Sequence, residues 1–227
     1  MNYITGKLLD QDQLKEIKDL IDKCSWVDGS TTWTGDKERK KNLQVNSQDP
    51  YLNDINGCVM QRLNNNSDFL NYTLATKISK VIVSKYGEGS YYNFHNDKYT
   101  LGNYSTTVFL NDPETYEGGE LCLCINGKEE NFKLPAGHAI TYETGILHKV
   151  NKVTKGERMA IVFWSSSKAG DKFLLDLYRN VVKLESKLIE KYGEVKNFED
   201  YDILIEDPVF LINDIKEKLL RELNSRQ

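Results

Sequence analysis

From residue 70 to residue 165 the apolar residues recur at every second position, while on either side they recur at helical spacing. Side chains on an extended strand alternate between two faces, so a period of two over this length predicts a β-structure half-buried or more. The alternation is carried by Leu70, Tyr72 and Leu74, and then by residues 80–86, 105–110, 120–125, 130–134, 138–142, 148–153 and 158–165. Glycine-containing turns separate most of these segments: Gly118-Gly119, Asn126-Gly127, Pro135-Ala-Gly137, Gly145 and Lys155-Gly156. Many short strands at this spacing predict a closed or sandwiched antiparallel structure. Asn126-Gly127 predicts a two-residue hairpin, because both residues tolerate the left-handed backbone such a turn needs.

The flanks are helical. Asp10 followed by Gln13 predicts a capped helix start, and Leu14, Ile17, Leu20, Ile21 and Cys24 mark its apolar face. Trp26-Val-Asp-Gly29 is expected to end that helix and turn the chain. Residues 30–48 are polar and irregular, and a loop of that length usually carries function. Its Asn42-Leu-Gln44-Val45 tail is expected to fold back over a site. Asp49-Pro50 starts a second helix with Leu52, Ile55, Val59 and Leu63 on one face, and residues 64–67 form a turn. Beyond residue 167, Phe173, Leu177, Val181, Leu184 and Leu188 predict a helix ending near Tyr192-Gly193. Asp207-Pro208 starts another, with Ile212, Ile215, Leu219 and Leu223 on one face. The expected class is mainly β with flanking helices (α+β). It divides into an N-terminal helical and loop region at 1–67, a β-core at 68–167 and a C-terminal helical region at 168–227. The last is expected to form a helical hairpin, a candidate surface for a homodimer.

Composition excludes several classes. The 227 residues are 39% hydrophobic and 28% charged, enough for one large globular domain. A net charge of −4 gives no bulk attraction to nucleic acid or membrane. The densest basic run, residues 37–41, also holds Glu38 and follows Asp36, and is expected to be a solvated loop. No apolar run is long enough to span a bilayer and the first residues lack a signal-peptide pattern, so a cytoplasmic protein is expected. Cys24, Cys58, Cys122 and Cys124 have neither disulfide-framework nor zinc spacing. Cys122 and Cys124 share one strand face, where packing is the expected role.

The chain has three histidines: His95, His138 and His148. His95 and Asp97 are two apart, so in extended backbone they point the same way. His148 opens a later strand that a barrel can bring alongside. Two histidines and a carboxylate on one face leave coordination positions open, the arrangement of non-haem Fe(II) oxygenases. Ten residues after His148, Arg158 begins the apolar strand Arg158-Met-Ala-Ile-Val-Phe-Trp164. A guanidinium there is costly unless paired, and its planar fork suits a carboxylate. A dicarboxylic cosubstrate on the metal is one partner for it; a neighbouring glutamate is the other.

Several segments together resemble a known family. They are Tyr86-Gly-Glu-Gly-Ser-Tyr-Tyr-Asn-Phe-His95-Asn-Asp97, Thr107-Val-Phe-Leu-Asn111, Tyr116-Glu-Gly-Gly-Glu-Leu121, Leu134-Pro-Ala-Gly137 and His148…Arg158…Trp164. Their combined spacing resembles the 2-oxoglutarate- and Fe(II)-dependent oxygenases, nearest to the bacterial PKHD-type hydroxylases, relatives of prolyl 4-hydroxylases. The resemblance implies a double-stranded β-helix, or jelly roll, with the metal in the mouth of the barrel. It implies His95, Asp97 and His148 as iron ligands and Arg158 as the group that binds the distal carboxylate of 2-oxoglutarate. Tyr86 and Trp164 match aromatics beside the cosubstrate and the metal. Phe109 stands where some relatives have a hydrogen-bonding tyrosine, so Tyr142 and Thr107 become candidates for that contact. His138 has no matching role. The implied cofactors are Fe(II), 2-oxoglutarate and O2, with ascorbate as a candidate reductant. The implied reaction is hydroxylation with release of succinate and CO2. The substrate is left open among a peptidyl prolyl or lysyl residue, a free amino acid and a small metabolite. Residues 30–48 and 98–103 are candidates for the substrate rim. Two alternatives stand beside this: a demethylase or desaturase using the same iron, and a jelly-roll binding module without turnover.

Overall fold

The computed structural model describes residues 2–32, 37–195 and 206–225. They group into two compact units, one of residues 2–166 and one from Ser167 onward.

In the first unit, strands that follow one another in the chain alternate between two antiparallel sheets. β6 (Ile82–Tyr86) lies in the larger sheet, β7 (Tyr91–His95) in the smaller, and β8 (Tyr104–Phe109) returns to the larger. β10 (Leu121–Ile125) and β11 (Lys128–Phe132) belong to the smaller sheet, and β12 (His138–Glu143) to the larger. β13 (His148–Val150) is in the smaller sheet again and β15 (Arg158–Ser167) in the larger. This alternation is the double-stranded β-helix that the resemblance implies. The larger sheet is extended at its edges by β1 (Tyr3–Lys7), β2 (Trp26–Asp28) and β4 (Leu43–Val45), and by β5 (Ala75–Ile78), which pairs with β15. β3 (Lys40–Lys41) edges the smaller sheet, and β9 (Tyr116–Gly118) pairs with β14 (Val153–Gly156). The β10–β11 hairpin turns on Asn126 at φ 51° and Gly127 at φ 76°, both left-handed as the dipeptide predicts.

Both faces of the larger sheet are buried, for different purposes. Val83, Val108, Ile161 and Phe163 point to one side and pack in one apolar cluster with Ile17, Ile21, Ile55, Val59 and Leu63. Those last five come from α1 (Gln11–Ile21) and α2 (Tyr51–Asn64). Burying each such side chain is worth about 1.5–3 kcal/mol. The helices are anchored locally. Asp10 Oδ1 accepts the Gln13 amide at 2.9 Å while Gln13 Oε1 accepts the Asp10 amide at 3.0 Å. Asp49 accepts the Tyr51 amide at the start of α2, and Pro50 already has helical angles. Between the sheets, Phe109, Leu121, Leu123, Ile125, Ile140 and Tyr142 form a second cluster. The residues of the larger sheet that alternate with the helix-facing set, Ser84, Tyr86, Thr107, Arg158, Val162 and Trp164, line a cavity between the two sheets.

Several expectations are corrected. Leu70, Tyr72 and Leu74 do not form a strand: α3 (Ser67–Thr73) runs through them, and Leu74 is its left-handed cap at φ 45°. The side chain of Asn66 accepts the Phe69 amide at 2.8 Å, so the asparagine run begins a helix where a turn is expected. Trp26-Val-Asp28 is a strand, paired with β4, and not simply a turn. The single strand expected at 148–153 is broken after Val150, and a register shift lies within β13. β1, whose residues are mostly exposed, carries no apolar alternation to reveal it. Residues 33–36 of the long loop lie outside the described residues.

The second unit consists of α4 (Lys172–Tyr192) and α5 (Pro208–Ser225), which pack on each other. Asp207 Oδ1 accepts the Val209 and Phe210 amides, giving α5 the expected start. The buried face of α4 carries Leu175, Tyr178, Arg179 and Val181, whereas Phe173 is 75% exposed and Leu177 and Leu184 are exposed too. Apolar residues surround more than one side of this helix, so their spacing alone permits more than one phase. On α5, Ile215 is likewise exposed.

Gly137, in the turn before β12, has φ +82°, and an added Cβ would lie 2.5 Å from the Leu9 carbonyl oxygen. The same glycine's carbonyl accepts both the Leu8 and Leu9 amides at 2.9 Å. Gly137→Ala combines left-handed strain with a backbone clash and is expected to cost about 2–3 kcal/mol. Urea unfolding of the variant measures this; an unchanged midpoint would contradict it.

Candidate metal centre and cavity

His95 ends β7 and His148 begins β13, and the two residues are direct cross-strand partners. Antiparallel register therefore places two imidazoles side by side, with ring centroids 4.1 Å apart. Asp97, two residues past His95, completes the group: His95 Nε2 lies 3.9 Å from Asp97 Oδ1 and His148 Nε2 lies 3.7 Å from Asp97 Oδ2. One ligand atom from each of the three fits within a span of 4.8 Å.

The backbone fixes which nitrogens face inward. His95 Nδ1 is 2.8 Å from the Asn93 carbonyl oxygen, and His148 Nδ1 is 2.8 Å from that of Ile146. A carbonyl only accepts, so each Nδ1 carries the proton and each Nε2 presents a lone pair. Burial, then the neighbouring His148, pulls the His95 pKa down to about 4, so the ring is neutral at neutral pH. Asp97 is held as firmly. Its Oδ2 accepts Ser105 Oγ and Trp164 Nε1, both at 2.9 Å, while Oδ1 is the oxygen nearer His95.

Arg158 begins β15 and is 2% exposed. Its guanidinium carbon lies 5.2 Å from the Tyr86 ring and 5.4 Å from the Phe109 ring, a sandwich that holds the planar group in place. Burial lowers its pKa from the usual guanidinium value, against the opposing pull of Tyr86, Tyr116, Tyr142 and Glu120. Its Nε is buried with no hydrogen-bond partner, and so is the Tyr116 hydroxyl. No ion pair to Arg158 is found among the described residues, so the glutamate alternative is not what the fold builds. Burial also pushes the Tyr86 phenol up to about 12 and raises that of Tyr142, so both stay protonated donors at neutral pH.

The metal-side and arginine-side groups meet at one cavity of about 400 Å³. It is lined by His95, Asp97, His148, Arg158, Tyr86, Trp164, Tyr142 and Thr107, so every site residue expected from the sequence reaches it. His138 starts β12 away from the cluster, with its Nδ1 buried and unpartnered. Lys98 and Leu101, from the expected rim, also line the cavity.

Lys40 and Tyr92 line the cavity without having been singled out in the sequence, although Lys40 falls within the expected rim of residues 30–48. Lys40 belongs to the basic run expected to be a solvated loop, yet it is 7% exposed, pairs with Tyr92 across β3 and β7, and lines the cavity. Its side chain, with those of Asn42 and Gln44, points inward while Lys41 and Leu43 are exposed. That period of two was present in the sequence but was masked by the charge of the run. Tyr92 stacks on the His95 ring, 3.5 Å between centroids and 18° between planes. Residues 42–45 do fold back on the site, as strand β4 with Gln44 in the cavity wall.

A jelly roll whose mouth gathers two histidines, an oriented aspartate and a buried arginine defines a class of mononuclear iron oxygenase. Comparison with known proteins agrees. The pattern of the 2OG-Fe(II) oxygenase superfamily matches residues 81–166. A PKHD-type hydroxylase of Janthinobacterium sp. (strain Marseille) is 33% identical over 191 residues, covering 78% of this chain and 84% of that protein. One from Paracoccus denitrificans (strain Pd 1222) is 32% identical over 197 residues, covering 80% of this chain and 86% of the relative. Among solved structures, a Pseudomonas putida prolyl-4-hydroxylase superposes with TM-score 0.53 at 17% identity, covering 73% of this chain and 92% of that one. The chain belongs to the PKHD-type hydroxylases of the 2-oxoglutarate–Fe(II) oxygenase superfamily. It is accordingly an oxidoreductase, a dioxygenase whose family works with Fe(II), 2-oxoglutarate and O2. The residues present fit that set: three convergent ligand atoms with open positions, and an orphaned buried cation on the same cavity. Among the described residues no helix is long and apolar enough to cross a membrane.

Proposed function

We propose that this protein is a hydroxylase in which His95 Nε2, His148 Nε2 and a carboxylate oxygen of Asp97 hold Fe(II). In the same proposal Arg158 holds the distal carboxylate of 2-oxoglutarate. The observation that carries it is the buried Arg158 Nε without a partner, on the cavity that also holds the triad. A buried unpaired cation costs several kcal/mol, which a bound carboxylate offsets. When bound, Fe(II) with 2-oxoglutarate and O2 supplies the oxidising chemistry, yielding succinate, CO2 and one oxygen atom for a substrate C–H bond.

The chain's own groups bind and orient. Arg158, clamped between Tyr86 and Phe109, is fixed before the cosubstrate arrives. Tyr86, Tyr142 and Thr107 line the cavity as hydroxyl donors for the cosubstrate carboxylates, a role that Phe109 cannot take. Trp164 and Ser105 hold one Asp97 oxygen, so the other serves the metal. Leu121, Val150 and Val162 add apolar wall, which limits water at the reacting position. Lys98 and Leu101 form the rim over which substrate enters. The substrate is a peptidyl side chain, a free amino acid or a small metabolite. The four unpaired cysteines support a reducing, cytoplasmic setting.

Anaerobic addition of Fe(II) and then 2-oxoglutarate should give the visible metal-to-ligand charge-transfer band, and air should then release succinate. Folded protein that gives no band would sink the proposal.

A further inference from the structure

His95 is held by more than its hydrogen bond. The contact of Nδ1 with the Asn93 carbonyl sets the tautomer but leaves the ring free to tilt about that point. The Tyr92 ring lies flat against it, with centroids 3.5 Å apart and planes 18° from parallel. The other imidazole is met differently: Tyr142 approaches His148 edge-on, 5.5 Å away and at 67°. Tyr92 is in turn fixed from the β3 edge. It is the cross-strand partner of Lys40, whose ammonium lies 4.9 Å from the centroid of its ring. The chain around Lys40 is tied to β7 by two further bonds. Arg39 Nη2 donates to the Phe94 carbonyl at 2.8 Å, and the Tyr91 hydroxyl donates to the Glu38 carbonyl at 2.8 Å. Residues 38–41 thus form a strap along β7, and Lys40, Tyr92 and His95 make a column from that strap to the metal side of the cavity.

We propose that Tyr92 is a positioning residue for the metal: stacked on His95 and held by Lys40 of the strap, it fixes the plane of the imidazole so that Nε2 points at the ion. The proposal rests on the iron reading above. A bound cation draws electron density out of the imidazole that ligates it, and an electron-poor ring stacks better on the face of an electron-rich phenol. The contact therefore favours the coordinated form of His95, whereas plain packing is indifferent to metal. Lys40 acts through the Tyr92 ring, by a cation–π contact that a guanidinium can also make.

The test is anaerobic competition between the full-length protein and a chromophoric chelator for Fe(II). The visible d–d spectrum of the Co(II)-loaded protein, which reports ligand geometry, is the second readout. Tyr92→Leu keeps an apolar side chain but no ring. It should weaken Fe(II) binding by about 10–100-fold, the range for groups that orient a metal ligand, and shift the Co(II) bands. Tyr92→Phe keeps the stack and should restore both readouts. Lys40→Met keeps length without charge and should fall between the unaltered protein and Tyr92→Leu, while Lys40→Arg should bind Fe(II) as the unaltered protein does. Folded Tyr92→Leu with unchanged Fe(II) affinity and Co(II) spectrum would overturn the inference. So would Tyr92→Phe as weak as Tyr92→Leu, because the hydroxyl and not the stacked face would then matter. If Tyr92→Leu does not fold, the lysine pair decides: unchanged affinity in Lys40→Met, or an equal loss in Lys40→Arg, overturns it. A protein that gives the charge-transfer band but shows none of these differences loses only this inference; one that gives no band loses the iron reading and this inference with it.

Discussion

Replacing Arg158 with methionine should weaken 2-oxoglutarate binding by about 10²–10³-fold while leaving Fe(II) affinity within a few-fold. The guanidinium is 2% exposed and held between two aromatic rings, so it has no alternative position from which solvent could replace it. Removing it leaves one end of a dicarboxylate buried without a counter-charge. Methionine fills similar length between Tyr86 and Phe109, so the loss reads charge and not a void. The same change removes an orphaned buried cation from the ligand-free protein and should raise its unfolding midpoint. A purely structural arginine would do the opposite, lowering stability and sparing 2-oxoglutarate. Anaerobic titration of the charge-transfer band gives the cosubstrate Kd, and thermal unfolding gives the second readout.

Asp97→Ala should reduce succinate release to background and weaken Fe(II) binding, because it removes the one charged ligand and leaves two cross-strand histidines. The neighbours of Asp97 make this prediction gradable. Trp164→Phe keeps the aromatic bulk and the carboxylate but deletes the 2.9 Å bond from Nε1 to Oδ2. Groups that orient a metal ligand typically carry about 10–100-fold in metal affinity or activity, so Trp164→Phe should fall between the unaltered protein and Asp97→Ala. Competition with a chelator for Fe(II) measures the affinities. If Trp164→Phe matched the unaltered protein in both affinity and turnover, the indole would be core packing and nothing more.

The legible parts of the fold were those where one local rule decides. The capping box at Asp10, the Asn126-Gly127 hairpin and the start of α5 at Asp207 each depend on a few neighbouring residues, and each is present. Misread segments had two rules in competition. Around residues 66–74 an asparagine cap with helical burial of Phe69, Tyr72 and Thr73 outweighed an apolar alternation of three residues. In α4 the apolar residues surround the helix too broadly to fix its phase, and only its packing partner selects one. At Lys40 the charge of the run concealed an inward-facing alternation that β3 and β4 make plain.

The site divides along the same line. Residue types and spacing marked His95, Asp97, His148 and Arg158 as candidates while leaving a neighbouring glutamate open for the arginine, and the resemblance to the oxygenases made them one metal and carboxylate set. Tertiary structure decided what spacing cannot carry. Antiparallel register made His95 and His148 direct neighbours, and two backbone carbonyls chose their tautomers. Trp164, 67 residues from Asp97 in the chain, fixed the carboxylate. Lys40 entered the cavity from an edge strand whose place is set only by its pairing with β7. Local sequence encodes chemistry and period; the partner of each side chain is encoded by the closure of the barrel, and that involves the whole chain at once.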